Sequence, residues 1–208
     1  MDTAKIAALA TSAVFAVVGG TFLFTSIMNP ADRLAACTGG AVAGGAIGGP
    51  FELVDNTGAT RTPQDVYTKP TLVYFGYSFC PDVCPFDVAR NAVAMDILAE
   101  QGVDVGGVFV TVDPARDTPE AAGDYAQAHH PDMLGLSGSI EQVAAAAREY
   151  KVYYKKQPDA DDPEFYLMDH STFTYLMMPE IGFVDFFRND MSPDAMAEKV
   201  ACFVDATA

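Results

Sequence analysis

Hydrophobic and polar positions divide the chain into stretches with different periods. From Ile6 to Met28 the run IAALATSAVFAVVGGTFLFTSIM contains no charge and no proline. At about 1.5 Å per helical residue it is long enough for a bilayer core of about 30 Å. The run is longer than the apolar region of a cleaved signal peptide, and Asn29-Pro30 ends it without a small-residue cleavage site. Residues 1–28 therefore read as a retained membrane anchor. Lys5 before the run, with Asp32 and Arg33 cancelling after it, favours an inside N-terminus only weakly. Residues 29–47, rich in Gly and Ala, follow neither the helical nor the strand period and read as a flexible tether.

Regular patterning begins with the stretch 48–208. Phe51 to Val54 alternates as a short strand before the turn Asp55-Asn56-Thr57-Gly58. Thr71 to Tyr77 (TLVYFGY) is a dense β-branched and aromatic run, predicted to be a buried central strand. Phe86 to Gln101 spaces Val88, Val93, Ile97 and Leu98 roughly as a helix, which Gly102 ends. Gly107 to Val112 is a second buried strand. Thr118-Pro119 opens a helix as cap and first-turn proline, and Ser139 caps another that runs to Tyr150. Strands are predicted at Tyr166–Met168, Phe173–Met178 and Gly182–Phe187, and a last helix from Ser192-Pro193 to about Ala206. There are no internal repeats. Strand, helix, strand, helix, two strands and a closing helix suit an α/β layered domain.

Composition changes this picture little. Half the residues are hydrophobic and 19% are charged, so the chain is expected to fold. The net charge of -16 argues against nucleic acid and against an anionic membrane surface as partners.

The chemistry is concentrated in FGYSFCPDVCPFDVARNA, residues 75–92, which holds two of the four cysteines where the first central strand meets its helix. A thiol at a helix N-terminus is stabilised as thiolate by unpaired N–H groups and the helix dipole. Thiolate is the form that attacks a disulfide and the form that binds a soft metal. Cys80-Pro81-Asp82-Val83-Cys84 has one residue more than the C-x-x-C of redox enzymes, and the wider loop can turn both sulfurs toward one ion. The peroxidase pattern needs Pro and Thr where this chain has Val73 and Tyr77, and is excluded.

A metal would need a third ligand, and the chain has three histidines. His129 and His130 fall at a helix terminus and loop. His170, in YLMDHSTFTYLMM, stands just before a strand. Asp82 is a natural turn-former in the cysteine loop, or a steering charge for a partner. Asp113, Arg116 and Asp117 follow the second central strand; they are candidates for partner docking, against a loop-ordering role. Cys37 and Cys202 remain. They can pair on an oxidising side of a membrane, or Cys202 is simply a small buried residue. Leu34-Ala35-Ala36-Cys37 is similar to a lipoprotein acylation box, but Asp32 and Arg33 separate it from the apolar run.

YFGYSFCPDVCP, VTVDPARDTPE, GLSGS and DHSTFTYL, in this order, resemble the Sco/SenC family over roughly residues 48–190. The resemblance implies a thioredoxin-like domain on a single N-terminal transmembrane helix. It also implies copper, as Cu(I) or Cu(II), one per chain, bound by Cys80, Cys84 and His170. The function implied is a copper chaperone, not an enzyme, that helps assemble the binuclear centre in the copper-binding subunit of cytochrome c oxidase. Another copper carrier is a candidate donor. The alternative is a thiol–disulfide oxidoreductase that keeps the oxidase subunit's cysteines reduced, with Cys80 and Cys84 as a redox-active disulfide. The location implied is the bacterial inner membrane with the domain in the periplasm, or alternatively the mitochondrial inner membrane. Soft thiolates with one imidazole suit copper, and zinc with a water in fourth position is the competing ion. The chain departs from the family pattern at Met177-Met178-Pro179-Glu180-Ile181-Gly182. These methionines are either auxiliary soft ligands or strand packing.

Overall fold

The structure, a computed structural model, describes residues 30–38, 47–158 and 165–207. The apolar run Ile6–Met28 lies outside them. Among the described residues no helix is long and apolar enough to cross a membrane.

Three six- or five-residue strands form the centre: β3 (Thr71–Gly76), β4 (Gly106–Thr111) and β5 (Met133–Ser137), all parallel. Every residue of β3 and β4 is buried, which is why both read as unbroken apolar runs rather than alternating ones. On one flank β1 (Leu53–Asp55) pairs antiparallel with β5, and β2 (Thr60–Arg61) pairs with β1. On the other, β8 (Thr174–Met178) runs antiparallel to β3, and β9 (Gly182–Phe187) follows as a hairpin. The seven-stranded order is β2-β1-β5-β4-β3-β8-β9. A separate two-stranded ribbon joins β6 (Tyr154–Lys156) to β7 (Met168–His170).

Helices complete the layers. After the short α2 (Pro63–Val66), α3 (Val83–Glu100) connects β3 to β4, α4 (Pro119–His129) connects β4 to β5, and α6 (Pro193–Thr207) packs on α3. Successive strand residues face opposite sides. Tyr74 lies beside Cys84 of α3, whereas Phe75 meets Tyr150, at the end of α5 (Ile140–Glu149), and Tyr175 of β8 on the other side. This is a mixed α/β thioredoxin-like arrangement.

The capping residues act as expected from sequence. Thr118 accepts from the Ala121 amide, and Ser139 and Gln142 form a capping box. Several features differ from the sequence reading. β5 was not legible because Gly135 interrupts its apolar run. The glycine is required there, since a Cβ would meet the Ala122 carbonyl of α4 at 2.1 Å. The strand expected at Tyr166–Met168 begins at Met168 instead, so His170 ends β7 and stands, as expected, shortly before the strand β8.

The stretch 29–47 is not wholly irregular. Pro30–Cys37 forms a helix, α1, packed on α6, where Arg33 donates to the Asp205 carbonyl at 2.8 Å and Cys37 is disulfide-bonded to Cys202. A sulfur engaged in that bond is not available for acylation. Met177 and Met178 are buried in the sheet beside a bulge at Leu176/Met177, so packing accounts for both.

Candidate metal centre

The end of β3 delivers the chain to the N-terminus of α3, and the turn between them holds Cys80. Gly76 closes the strand where a Cβ would press on Tyr74 at 2.8 Å and on the Cys84 sulfur at 3.0 Å. The turn is held from below by Asp117, which is fully buried. Its carboxylate accepts from the Ser78 amide at 2.9 Å, from the Ser78 hydroxyl, and from Thr111 at 2.7 Å. Its carbonyl accepts from Ser137 at 2.5 Å. One aspartate thus ties together the C-terminal ends of β3, β4 and β5.

Asp82 occupies the N-cap position of α3 but makes no side-chain cap hydrogen bond and is exposed. The Cys80 sulfur takes that role, accepting from the Cys84 amide at 3.4 Å. Cys84 lies one turn on, fully buried, whereas Cys80 is partly exposed. His170 enters from β7. Its Nδ1 donates to the Ser171 carbonyl at 2.9 Å, which turns Nε2 toward the Cys84 sulfur at 3.2 Å. Tyr74 and Tyr77 hold the imidazole edge-on, with ring centroids at 6.2 and 5.7 Å.

The two sulfurs and the imidazole nitrogen all lie within 4.8 Å of one another. Around a trigonal ion with metal–sulfur bonds of 2.3 Å, donor atoms stand about 4 Å apart. Small side-chain shifts therefore suffice to close the set. Both cysteines are free thiols. The hydrogen bond with Cys84 is the main reason the Cys80 thiol is lowered to about 3; burial opposes this, and His170 and the amides of Cys84 and Asp82 assist. Cys84 is pushed up, first by the same bond with Cys80 and then by burial. The pair therefore shares one proton, with Cys80 the sulfur drawn toward thiolate.

Behind the sulfurs lies a polar cluster that sequence reasoning did not single out. Asp87 and Arg90 form a buried ion pair at 3.0 Å. Arg90 also donates to the Arg188 carbonyl at 2.9 Å and to Thr174 at 3.0 Å, and Thr174 donates to Asn91 at 3.0 Å. Burial raises the Asp87 carboxyl, against the pull of Arg90. The Tyr74 hydroxyl is buried between Cys84 and Asp87, with no hydrogen-bond partner among the described residues. The signal present in the sequence was the spacing Cys84, Asp87, Asn91, which lines one face of α3.

Asp113, like Asp117, is turned inward. It accepts from Arg116 Nε at 2.5 Å and from the Tyr166 hydroxyl at 2.7 Å. Both carboxylates have their donors within the fold and order their own loop. His129 ends α4, with Nδ1 donating to the Tyr125 carbonyl, and His130 lies 3.4 Å from Asp96. Neither histidine joins the cysteines.

The comparisons with known proteins agree with this geometry. The SCO1/SenC family model matches residues 40–205. The chain belongs to the SCO1/SenC family. It is 50% identical to Protein SenC of Rhodobacter capsulatus over 206 residues, covering 98% of this chain and 92% of that one. It is 42% identical to the mitochondrial SCO1 homolog 1 of Arabidopsis thaliana, covering 74% of this chain and 46% of that longer protein. Among solved structures it superposes on Arabidopsis thaliana ScoI with copper bound, with a TM-score of 0.72 and 41% identity over 76% of this chain and 98% of that one. It also superposes on yeast Sco1 with copper bound, with a TM-score of 0.71 and 36% identity over 76% and 88%.

Proposed function

We propose that this SCO1/SenC protein binds one copper ion through Cys80, Cys84 and His170 and carries it to the copper-binding subunit of cytochrome c oxidase. The observation that supports this most is the convergence of two free sulfurs and an imidazole nitrogen in one cluster. Two soft donors suit Cu(I), and the added nitrogen keeps Cu(II) tolerable. Cys84 is buried while Cys80 is partly exposed, so an acceptor thiolate can approach from one side only. A carrier needs that open side; a four-ligand structural site would lack it. In this reading Ile6–Met28 anchors the chain in the inner membrane with residues 48–208 in the periplasm, and a second copper carrier supplies the metal. The disulfide between Cys37 and Cys202 suits an oxidising compartment.

A second reading draws on the Cys80 thiolate. A half-exposed thiolate at a helix N-terminus is also the nucleophile of a thiol reductase. Cys80 would attack a partner's disulfide and Cys84 would resolve the mixed disulfide, so that two thiols here become a disulfide as the partner gains two. His170 separates the two readings, because exchange needs no imidazole. His170→Ala in the full chain is expected to lower Cu(II) binding strongly and to abolish oxidase assembly at low copper, while the cysteine pair still cycles. A variant that no longer holds copper yet supports full oxidase assembly would overturn the carrier reading in favour of the reductase.

A further inference from the structure

The ribbon that carries His170 is not part of the main sheet. Two-stranded ribbons are marginal on their own in water, so other contacts must hold this one over the cysteines. Its backbone bonds stay largely inside it: Ser171 to Tyr153 at 2.9 Å and Gln157 to Leu167 at 2.8 Å, with Tyr154 opposite His170 in the register.

Besides the contacts of His170 itself, a connection to the rest of the domain is Tyr166, two residues before β7. Its hydroxyl reaches Asp113, and the Arg116 guanidinium lies 3.7 Å from its ring centroid. The same guanidinium lies 4.8 Å from the ring of Phe79 and 5.7 Å from that of Tyr77, both in the loop that ends at Cys80. Tyr77 in turn stands edge-on to the His170 imidazole. Arg116 is largely buried, its Nε is fixed by Asp113, and its Nη2 has no hydrogen-bond partner among the described residues. A planar cation in that situation is stabilised by its carboxylate partner and by the aromatic faces around it. Lys156, on the ribbon itself, adds a second cation 3.5 Å from the Tyr166 ring centroid.

We infer that Arg116 is the positioning residue of the metal site. By stacking on Tyr77 and Phe79 of the cysteine loop and on Tyr166 of the ribbon, it holds His170 over Cys84. The consequence for copper rests on the function proposed above; the consequence for the ribbon does not. The Arg116 role that follows differs from partner docking: the side chain acts inward, on the distance between the third ligand and the two sulfurs.

The test uses the full chain in detergent, first without metal. Arg116→Ala should raise amide hydrogen exchange in Tyr154–Lys156 and Met168–His170 by about thirtyfold, the scale of a lost desolvated cation–π contact, and leave β3 and β4 unchanged. With copper, the same variant should lose the imidazole signature in the Cu(II) electron paramagnetic resonance spectrum. Its Cu(II) affinity should fall about tenfold while Cu(I), held by two thiolates, loses less than about threefold. Arg116→Lys, which keeps the charge but not the plane, should lie between. Tyr166→Phe keeps the ring but loses the bond to Asp113 and should raise ribbon exchange less than Arg116→Ala, whereas Tyr166→Leu should reproduce Arg116→Ala and decides the matter if that variant does not fold. Wild-type exchange in the ribbon and a wild-type Cu(II)-to-Cu(I) affinity ratio in Tyr166→Leu would overturn the inference. A uniform rise in exchange across the main sheet would overturn it equally. Failure of the wild-type chain to bind copper would sink the proposed function but leave the exchange comparison standing.

Discussion

Replacing Cys37 and Cys202 together by serine tests how much the fold depends on holding α1 against α6. The cross-link joins residues separated by 165 positions. In the chain-entropy treatment, closing a loop of that length costs the unfolded chain about 17 cal/mol/K, or about 5 kcal/mol at 25 °C. That is an upper figure, because a compact unfolded state has less entropy to lose. What remains in the folded variant is the packing of Leu34 against the core and the Arg33–Asp205 bond. The penalty should therefore appear almost wholly as a more favourable unfolded state. With a urea dependence of about 2.5 kcal/mol/M, a loss of 4–5 kcal/mol moves the midpoint down by about 2 M. Equilibrium urea unfolding of the full chain in detergent, followed by far-ultraviolet circular dichroism, measures this directly. The slope should rise slightly, since the uncross-linked chain exposes more surface. Copper affinity should not change, because the disulfide lies beside Ile97 and Gln101 near the end of α3, remote from Cys84 in its first turn. A midpoint shift below about 0.5 M would refute the reasoning: the cross-link would then not restrain the unfolded chain.

Copper binding should release one proton from the cysteines, not two, between about pH 5 and 7, because the hydrogen-bonded Cys80–Cys84 pair already shares a single proton there. Calorimetry in buffers of different ionisation enthalpy counts it, and a count of two would contradict the shared-proton pair. Asp87→Ala should destabilise the domain by about 3–5 kcal/mol, since it leaves the buried Arg90 charge unpaired; Asp87→Leu with Arg90→Met should cost much less, and a urea double-mutant cycle separates the two. Burial opposes ionisation of Asp55, but the bonds from Thr57 and Arg61 outweigh it and lower its carboxyl to about 2. The stability it contributes is present above the ordinary value of 3.8 and is lost as pH falls toward 2. Asp55→Asn should flatten the acid limb of the stability profile by about 1–2 kcal/mol, discounted because Arg61 is partly exposed.

The sequence by itself determined two of the three central strands, the capped helices and two of the three candidate ligands, for a common physical reason. Thr71–Gly76 and Gly106–Thr111 are buried on both faces, so their apolar runs are unbroken, and Thr118-Pro119 and Ser139 carry out their capping within a few residues. Cys80 and Cys84 are neighbours on one turn and helix start, so their meeting needs only local geometry. The arrival of His170 depends instead on pairings 86 residues apart, which no local pattern encodes; only the motif order pointed to it. The same holds for Asp117 tying three strand ends together and for Arg116 meeting rings from two different segments. Both read as polar loop residues in sequence, and it is tertiary burial that turns them inward. Pro30–Cys37 lies in a sequence stretch of low pattern, and it was packing on α6 and the bond to Cys202 that gave it a fixed place. Local signals carry what is settled within one turn of helix or one strand; contacts whose entropy is met only by the assembled core exist once that core has formed.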